Sequence, residues 1–177
     1  MAAADPNQSR LLTRQLSLGG LLTAFILILL AVKVYLPTGD LALLCLTSLC
    51  LAVGVIELDL RSALIIFAAA ALLSLAWPGI AAAYPFVVFF GPYPLIRALI
   101  DRMFGRITAA LLKLVTGNIL VALAVVFFAW AELQIVADRY TFFWLLAPIL
   151  LQAALLAYDY ILGILIQFYV VRIRRNK

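Results

Sequence analysis

The sequence predicts an all-α integral membrane protein, a polytopic bundle of about six transmembrane helices. Of its 177 residues, 68% are hydrophobic and only 12% are charged, whereas soluble domains are about half apolar and a quarter charged. A soluble globule of this size could not bury so much apolar surface, because its surface-to-volume ratio is too high. The basic residues stand at the ends of the apolar runs, as they do in membrane proteins.

Six apolar runs, separated by turn signals and charges, predict the helices. Residues 1–15 form a polar cytoplasmic segment, residues 16–171 the transmembrane bundle, and residues 172–177 a basic cytoplasmic tail. The runs cover residues 16–36, 41–56, 62–76, 80–90, 107–131 and 141–171. Runs two to four are short against the ~20 residues that a span needs. The alternative is therefore four full spans with a re-entrant hairpin around Pro78.

The segment from Gly91 to Arg106 predicts a helix break followed by a surface helix. Two prolines in Gly91-Pro-Tyr-Pro94 break or kink a helix. Residues 95–106 then form a short amphipathic cytoplasmic helix that carries Arg97, Asp101 and Arg102. Discontinuous helices often mark binding regions in transporters, and a basic amphipathic helix can lie on anionic lipid or contact a partner. A simple kink that leads into a surface helix is the plainer alternative.

The distribution of positive charge predicts the orientation. With six spans, eleven of the 13 basic residues fall on one side, and only Lys33 and Arg139 fall on the other. Cytoplasmic loops are rich in lysine and arginine, so both termini are expected in the cytoplasm of a multi-pass protein of the plasma (inner) membrane. The eleven are Arg10, Arg14, Arg61, Arg97, Arg102, Arg106, Lys113, Arg172, Arg174, Arg175 and Lys177.

A candidate substrate site centres on Asp159, a carboxylate inside the last apolar run. Such a group is expensive in a membrane and should face a partner or a cavity. Counted from the cytoplasmic side, Asp159 and Asn118 both lie about 17 Å deep, so we expect them to face each other. Gln152 and Tyr158 extend this polar patch, and Trp144 either anchors the outer interface or stacks on a ligand. The alternative is a structural hydrogen bond between helices.

Other charged groups are expected to face water, and catalysis is not expected. Lys113 and Lys33 should snorkel to the two surfaces, and Glu57, Asp59 and Arg61 should form a solvated cytoplasmic turn. Histidine is absent, which removes the commonest proton shuttle and metal ligand. The sequence therefore predicts no enzyme, no metal and no cofactor.

A partner protein is expected to meet two parts of the chain. Small residues recur at spacing four on the first helix, at Gly20 and Ala24, and small faces let helices approach closely. Arg97 and Arg102 are the second candidate interface. The chain has no GxxxxGK[ST] motif for ATP, so an energy source would have to come from a partner. The position of the basic residues at helix ends argues for lipid contact and against nucleic acid.

These features together resemble the substrate-binding membrane subunits, or S components, of energy-coupling-factor vitamin transporters. Residues 91–102 and 113–118 also resemble small bacterial six-helix membrane proteins of that general type. The resemblance implies a ligand pocket that opens outward and is lined by later helices. It also implies that the first helices dock onto a coupling membrane protein with two ATPases.

Two other functions remain open from the sequence. The rod-shape membrane protein D group has a similar size and helix count, and it implies a non-catalytic scaffold or assembly protein. A lipid-modifying enzyme would need acid, base or metal groups that converge at one interface, and the pairs Glu57/Asp59 and Glu132/Asp138 are too sparse for that. A hydrated pocket at Asp159 would favour the transporter, and a sealed Asp159 would favour the scaffold.

Overall fold

The computed structural model describes residues 6–36, 39–131 and 141–171, and these parts of the chain form a helical bundle. Within them the order is α1 (Pro6–Tyr35), α2 (Asp40–Glu57), α3 (Leu60–Ala76), α4 (Ile80–Pro85), a π-helical turn (Phe86–Phe90), α5 (Pro92–Met103), α6 (Arg106–Ala131) and α7 (Thr141–Tyr169). The predicted all-α fold class is confirmed. The basic tail, Arg139 and the pair Glu132/Asp138 lie outside the described residues.

Five of the described helices are long and apolar enough to cross a membrane. They cover Thr13–Tyr35, Asp40–Glu57, Ala82–Met103, Ile107–Ala124 and Gln152–Tyr169. Helix α3 has 17 residues, about 26 Å at 1.5 Å per residue. Only residues 58–59 join it to α2 and residues 77–79 to α4, so α3 must run back along α2. This connectivity favours a sixth pass over a short re-entrant hairpin around Pro78.

The turn between α2 and α3 is fixed by a helix cap. Asp59 Oδ1 accepts a hydrogen bond of 2.6 Å from the Ser62 backbone N–H, which satisfies one of the free donors at the start of α3. The same hydrogen bond is the main cause that lowers the pKa of the exposed Asp59 carboxyl. Asp59 is exposed, as predicted for this charged turn. Glu57, which was predicted to be solvated with it, has a side chain that is only 10% exposed and paired with Arg14.

The prolines near residue 90 widen the fourth helix without ending it. Pro85 has no N–H to donate, and the following residues take up π geometry, with the Gly91 N–H bonded to the Phe86 carbonyl at 2.7 Å. A Cβ at Gly91 would overlap the Phe67 ring, so glycine allows α3 to approach here. Helices α4 and α5 therefore continue each other along one candidate span.

The expected surface helix at residues 95–106 is consequently part of the bundle. Helix α5 starts at Pro92, ends at Met103, and buries Tyr93, Leu95 and Ile100. Arg97 is also largely enclosed, with its side chain 12% exposed and paired with Asp159 on α7. Helix α5 is amphipathic, as the sequence predicts, but its polar face points toward other helices as well as toward water.

Lys33 and Glu57 tie helices together at opposite ends of the bundle. The Phe86 N–H bonds to Ala83, and the Ala82 carbonyl accepts a hydrogen bond of 3.2 Å from Lys33 Nζ instead. The Lys33 side chain is only 10% exposed, and its ammonium also lies 4.0 Å from Oδ2 of Asp40 at the start of α2.

At the other end, Glu57 joins the start of α1 to the end of α7. Its carboxylate lies 3.1 Å from Arg14 Nη2 and accepts a hydrogen bond of 3.2 Å from the Tyr169 hydroxyl. The N-terminal end of α1 and the C-terminal end of α7 therefore lie on the same side of the bundle.

Candidate functional site

A network of four charged side chains connects α5, α6 and α7. Arg97 Nε lies 3.2 Å from Asp159 Oδ1 and 3.8 Å from Asp101 Oδ2. Lys113 Nζ lies 2.6 Å from Asp101 Oδ1. Two cations thus balance two carboxylates, as intramembrane charges require.

Local geometry explains how these groups meet. Arg97 and Asp101 are four residues apart on α5, and residues at this spacing share a helix face. On α7, Gly163 leaves room for the guanidinium, because a Cβ there would lie 3.0 Å from Arg97 Nη2. Lys113 reaches the end of α5 with a side chain that is 15% exposed. It pairs with Asp101, so the predicted snorkelling ends in an ion pair.

A cluster of aromatic rings lies beside the charges. The Tyr93 hydroxyl donates to Asp159 Oδ1 at 2.9 Å, and the Tyr93 ring stacks on Phe89 with centroids 5.6 Å apart. The rings of Tyr93 and Tyr158 have centroids 5.2 Å apart, and Phe90 meets Tyr158 edge-on. Aromatic pairs in these geometries add to the stability that burial provides. The cluster therefore holds α5 and α7 together.

Ser48 anchors this cluster to α2. The Tyr158 hydroxyl donates to Ser48 Oγ at 2.7 Å, and Ser48 Oγ donates to the Phe90 carbonyl at 2.6 Å. Ser48 is fully buried, so both hydroxyl groups need these bonds. Pro94, four residues after Phe90, has no N–H to donate, which leaves the Phe90 carbonyl available to Ser48.

A cleft of about 680 Å³ opens on the other side of the aromatic cluster. It lies between α2, the α4–π-turn segment, α6 and α7, and its walls include Cys45, Tyr84, Phe89, Val121, Ala157 and Tyr158. Among the residues that the structure describes, no charged side chain lines it. Its chemistry suits an apolar ligand, because polar groups there would lose their hydrogen bonds to water without replacement.

The expected pairing of Asn118 with Asp159 is replaced by two separate contacts. Gln152 Nε2 donates to Asn118 Oδ1 at 2.9 Å, whereas Asp159 meets Arg97 and Tyr93. Gln152 precedes Asp159 by seven residues on α7, which is about 10 Å along a helix. The depth count placed Asn118 level with Asp159, but α7 is shifted along α6 by about two turns.

The remaining predicted site residues divide between the cleft and other places. Tyr158 lines the cleft, whereas Asp159, Asn118 and Gln152 are not among its lining residues. The side chain of Trp144 lies outside the described residues. Sequence reasoning missed Tyr93 and Phe89. The only signal was that Tyr93 lies within the Gly-Pro-Tyr-Pro segment and Phe89 lies just before it.

The predicted partner-interface residues also divide. Gly20 and Ala24 are exposed and line a groove of about 670 Å³ between α1 and α3. Arg102 is exposed at the end of α5. Arg97 is not available to a partner, because its side chain is 12% exposed and paired with Asp159.

Comparisons of the chain with family models, with curated proteins and with solved structures return no match.

Proposed function

We propose that this membrane protein is a substrate-binding subunit of a transport system, and that its ligand is small and predominantly apolar. The observation that carries this proposal is the cleft of about 680 Å³ between four helical segments. Ligand sites for small molecules typically enclose about 300–1,000 Å³ and are mostly apolar. The cleft meets both criteria.

The lining of the cleft defines the class of ligand. Tyr84, Tyr158 and Cys45 supply its few polar side-chain atoms, and the Tyr158 hydroxyl is already committed to Ser48. A charged vitamin would find no counter-ion among the described residues of this cleft. A neutral, ring-containing or chain-like apolar molecule, which enters from the lipid or the outer surface, fits its walls.

The energy for transport comes from a partner in this proposal, since the chain contains no phosphate-binding GxxxxGK[ST] loop. The exposed groove that contains Gly20 and Ala24 is the docking face for a coupling membrane protein, in keeping with the resemblance to S components. The basic end of the bundle, with Arg14, Arg61 and Arg102, faces the cytoplasm of a bacterial cell.

A scaffold function is the second candidate, and the Asp159 contacts favour it. A carboxylate held by Arg97 and Tyr93 serves to join helices, which a non-catalytic assembly protein also needs. The two candidates differ in the cleft, because a scaffold has no use for a specific small molecule there.

Ligand retention distinguishes the two functions. The wild-type chain and two variants are purified from native membranes in mild detergent, and the co-purifying small molecules and proteins are identified by mass spectrometry. Ala157→Leu fills the cleft from α7. Ala153→Leu is the matched control, because Ala153 is exposed on the same helix and is not a lining residue.

The proposal predicts one apolar compound that is enriched with the wild type and with Ala153→Leu and lost with Ala157→Leu, together with an ATPase-bearing partner. Equal small-molecule profiles for all three proteins would contradict ligand binding. Recovery of cell-wall or division proteins in their place would establish the scaffold.

A further inference from the structure

A second, smaller cavity lies between α2, α5 and α7, apart from the apolar cleft. Its volume is about 270 Å³, and it shares no lining residue with the cleft. Its walls are apolar apart from Arg97, Asp101 and Gln167. A cavity with a guanidinium and an amide in otherwise apolar walls suits a ligand with a polar head.

The ion-pair distances of Arg97 to its two carboxylate partners, Asp159 and Asp101, are measured from one nitrogen, Nε. Nη1 is buried and has no hydrogen-bond partner within the described parts of the chain. A buried donor without an acceptor costs free energy, so this nitrogen calls for an acceptor that the protein does not supply.

Glycine at position 163 keeps space beside the same guanidinium. A Cβ at Gly163 would lie 3.0 Å from Arg97 Nη2, closer than side-chain atoms normally approach. Gly163 also lines the small cavity. The absence of a side chain at position 163 therefore leaves space beside Nη2, and Nη1 and Nη2 together form the fork that matches two oxygens of a phosphate.

The two carboxylates near the cavity are each offset by a cation. Asp101 faces the cavity, but its carboxylate is offset by Lys113 Nζ at 2.6 Å, and Asp159 is offset by Arg97. The exposed Arg102 lies on the same helix, one residue before its end at Met103. Arg97 precedes Met103 by six residues, which places it about 9 Å from the end of α5.

We propose that this cavity binds a phosphate group, held by Nη1 and Nη2 of Arg97. The phosphate belongs either to the headgroup of a membrane phospholipid or to free inorganic phosphate, which share the same recognition chemistry. The inference goes beyond the proposed function, because the site is separate from the apolar cleft and stands whether or not the cleft carries a substrate.

Binding to the delipidated full-length chain tests the proposal. The protein is titrated in detergent with phosphatidylglycerol, with diacylglycerol of the same acyl chains, and with inorganic phosphate, and occupancy is measured by native mass spectrometry. Arg97→Lys keeps the charge but removes the fork. Arg102→Lys is the matched control, since it makes the same change at an exposed position of α5.

We expect phosphatidylglycerol to bind and diacylglycerol not to bind, with about tenfold weaker binding after Arg97→Lys and no change after Arg102→Lys. Binding of inorganic phosphate without phosphatidylglycerol, with the same loss in Arg97→Lys, supports the site and assigns the source to free phosphate. Equal binding of the two lipids, no binding by the wild type, or equal effects of the two arginine variants would overturn the proposal.

If Arg97→Lys does not purify as a single species, Gly163→Ala takes its place. Its methyl group intrudes on Nη2 and should weaken phosphate binding to a similar degree. Gly20→Ala is its control, because a Cβ there meets nothing within 4 Å. Unchanged binding in Gly163→Ala would then reject the site.

Discussion

At the scale of single residues, Asp159 shows what the sequence can predict about a buried carboxylate and what it cannot. Its position inside an apolar run was enough to predict that it needs a partner. The partner itself was wrong, since Arg97 had been placed on a surface helix and Asn118 had been placed level with Asp159. Helical phase and depth along one segment do not define how far neighbouring helices slide past each other.

The Arg97–Asp159 ion pair should stabilise the bundle. Removal of one member of a buried pair costs about 3–5 kcal/mol. Because the Asp159 side chain is 28% exposed, we expect a smaller loss of about 2 kcal/mol for Asp159→Asn. Thermal unfolding in detergent measures it. Asp159→Asn combined with Arg97→Gln should recover part of the loss, and strictly additive effects would show that the pair contributes nothing.

The Tyr158 hydroxyl should contribute through Ser48. Tyr158→Phe keeps the ring cluster but leaves the buried Ser48 oxygen without its donor, at a cost of about 1 kcal/mol. Tyr160→Phe makes the same change on a ring that is 70% exposed and should be neutral. The melting temperatures of the two variants check this, and equal values would argue against the Tyr158–Ser48 bond.

At the scale of elements, the apolar runs predicted most of the helices, and the fourth span was the exception. The prolines of residues 91–94 indicated a break and a separate surface helix. The structure keeps one continuous span. The residues before Gly91 take up π geometry, and α3 packs against the glycine. The sequence shows that a proline lacks a donor, but it does not show which neighbouring helix stabilises the distorted turn.

The close approach at Gly91 gives a test of this packing. A Cβ there would overlap the Phe67 ring and lie 2.9 Å from the Phe86 carbonyl oxygen. Gly91→Ala should therefore lower the free energy of unfolding by about 2–3 kcal/mol, which a lower melting temperature would show. Gly20→Ala, with open space around it, should have little effect. Phe67→Leu should restore part of the loss in Gly91→Ala. If Gly91→Ala unfolds like the wild type, α3 does not pack as described.

At the scale of the whole molecule, charge and connectivity agree on topology. The excess of basic residues predicted that both termini lie on one side. The contacts of Glu57 with Arg14 and Tyr169 place the N-terminal end of α1 beside the C-terminal end of α7. The cleft could not have been predicted, because four segments form it and the sequence of one segment does not define how the four are arranged in space.

Cysteine labelling of intact cells tests the orientation. In a chain with Cys45→Ala and Cys50→Ala, Arg61→Cys marks the basic end and Asp40→Cys marks the opposite end. A membrane-impermeant maleimide should label Asp40→Cys in intact cells, and Arg61→Cys only after permeabilisation. The reverse pattern would invert the topology and remove the cytoplasmic placement of the termini.

The central claim is that the cleft holds a specific apolar ligand, and photo-crosslinking in native membranes tests it most directly. A diazirine amino acid replaces Ala157 in the cleft or, as control, Ala153 on the exposed face of α7. Mass spectrometry then identifies the adducts. The account predicts a defined small-molecule adduct at position 157 and only bulk phospholipid at position 153. The same phospholipid adducts at both positions would contradict it, and would leave the protein as a scaffold.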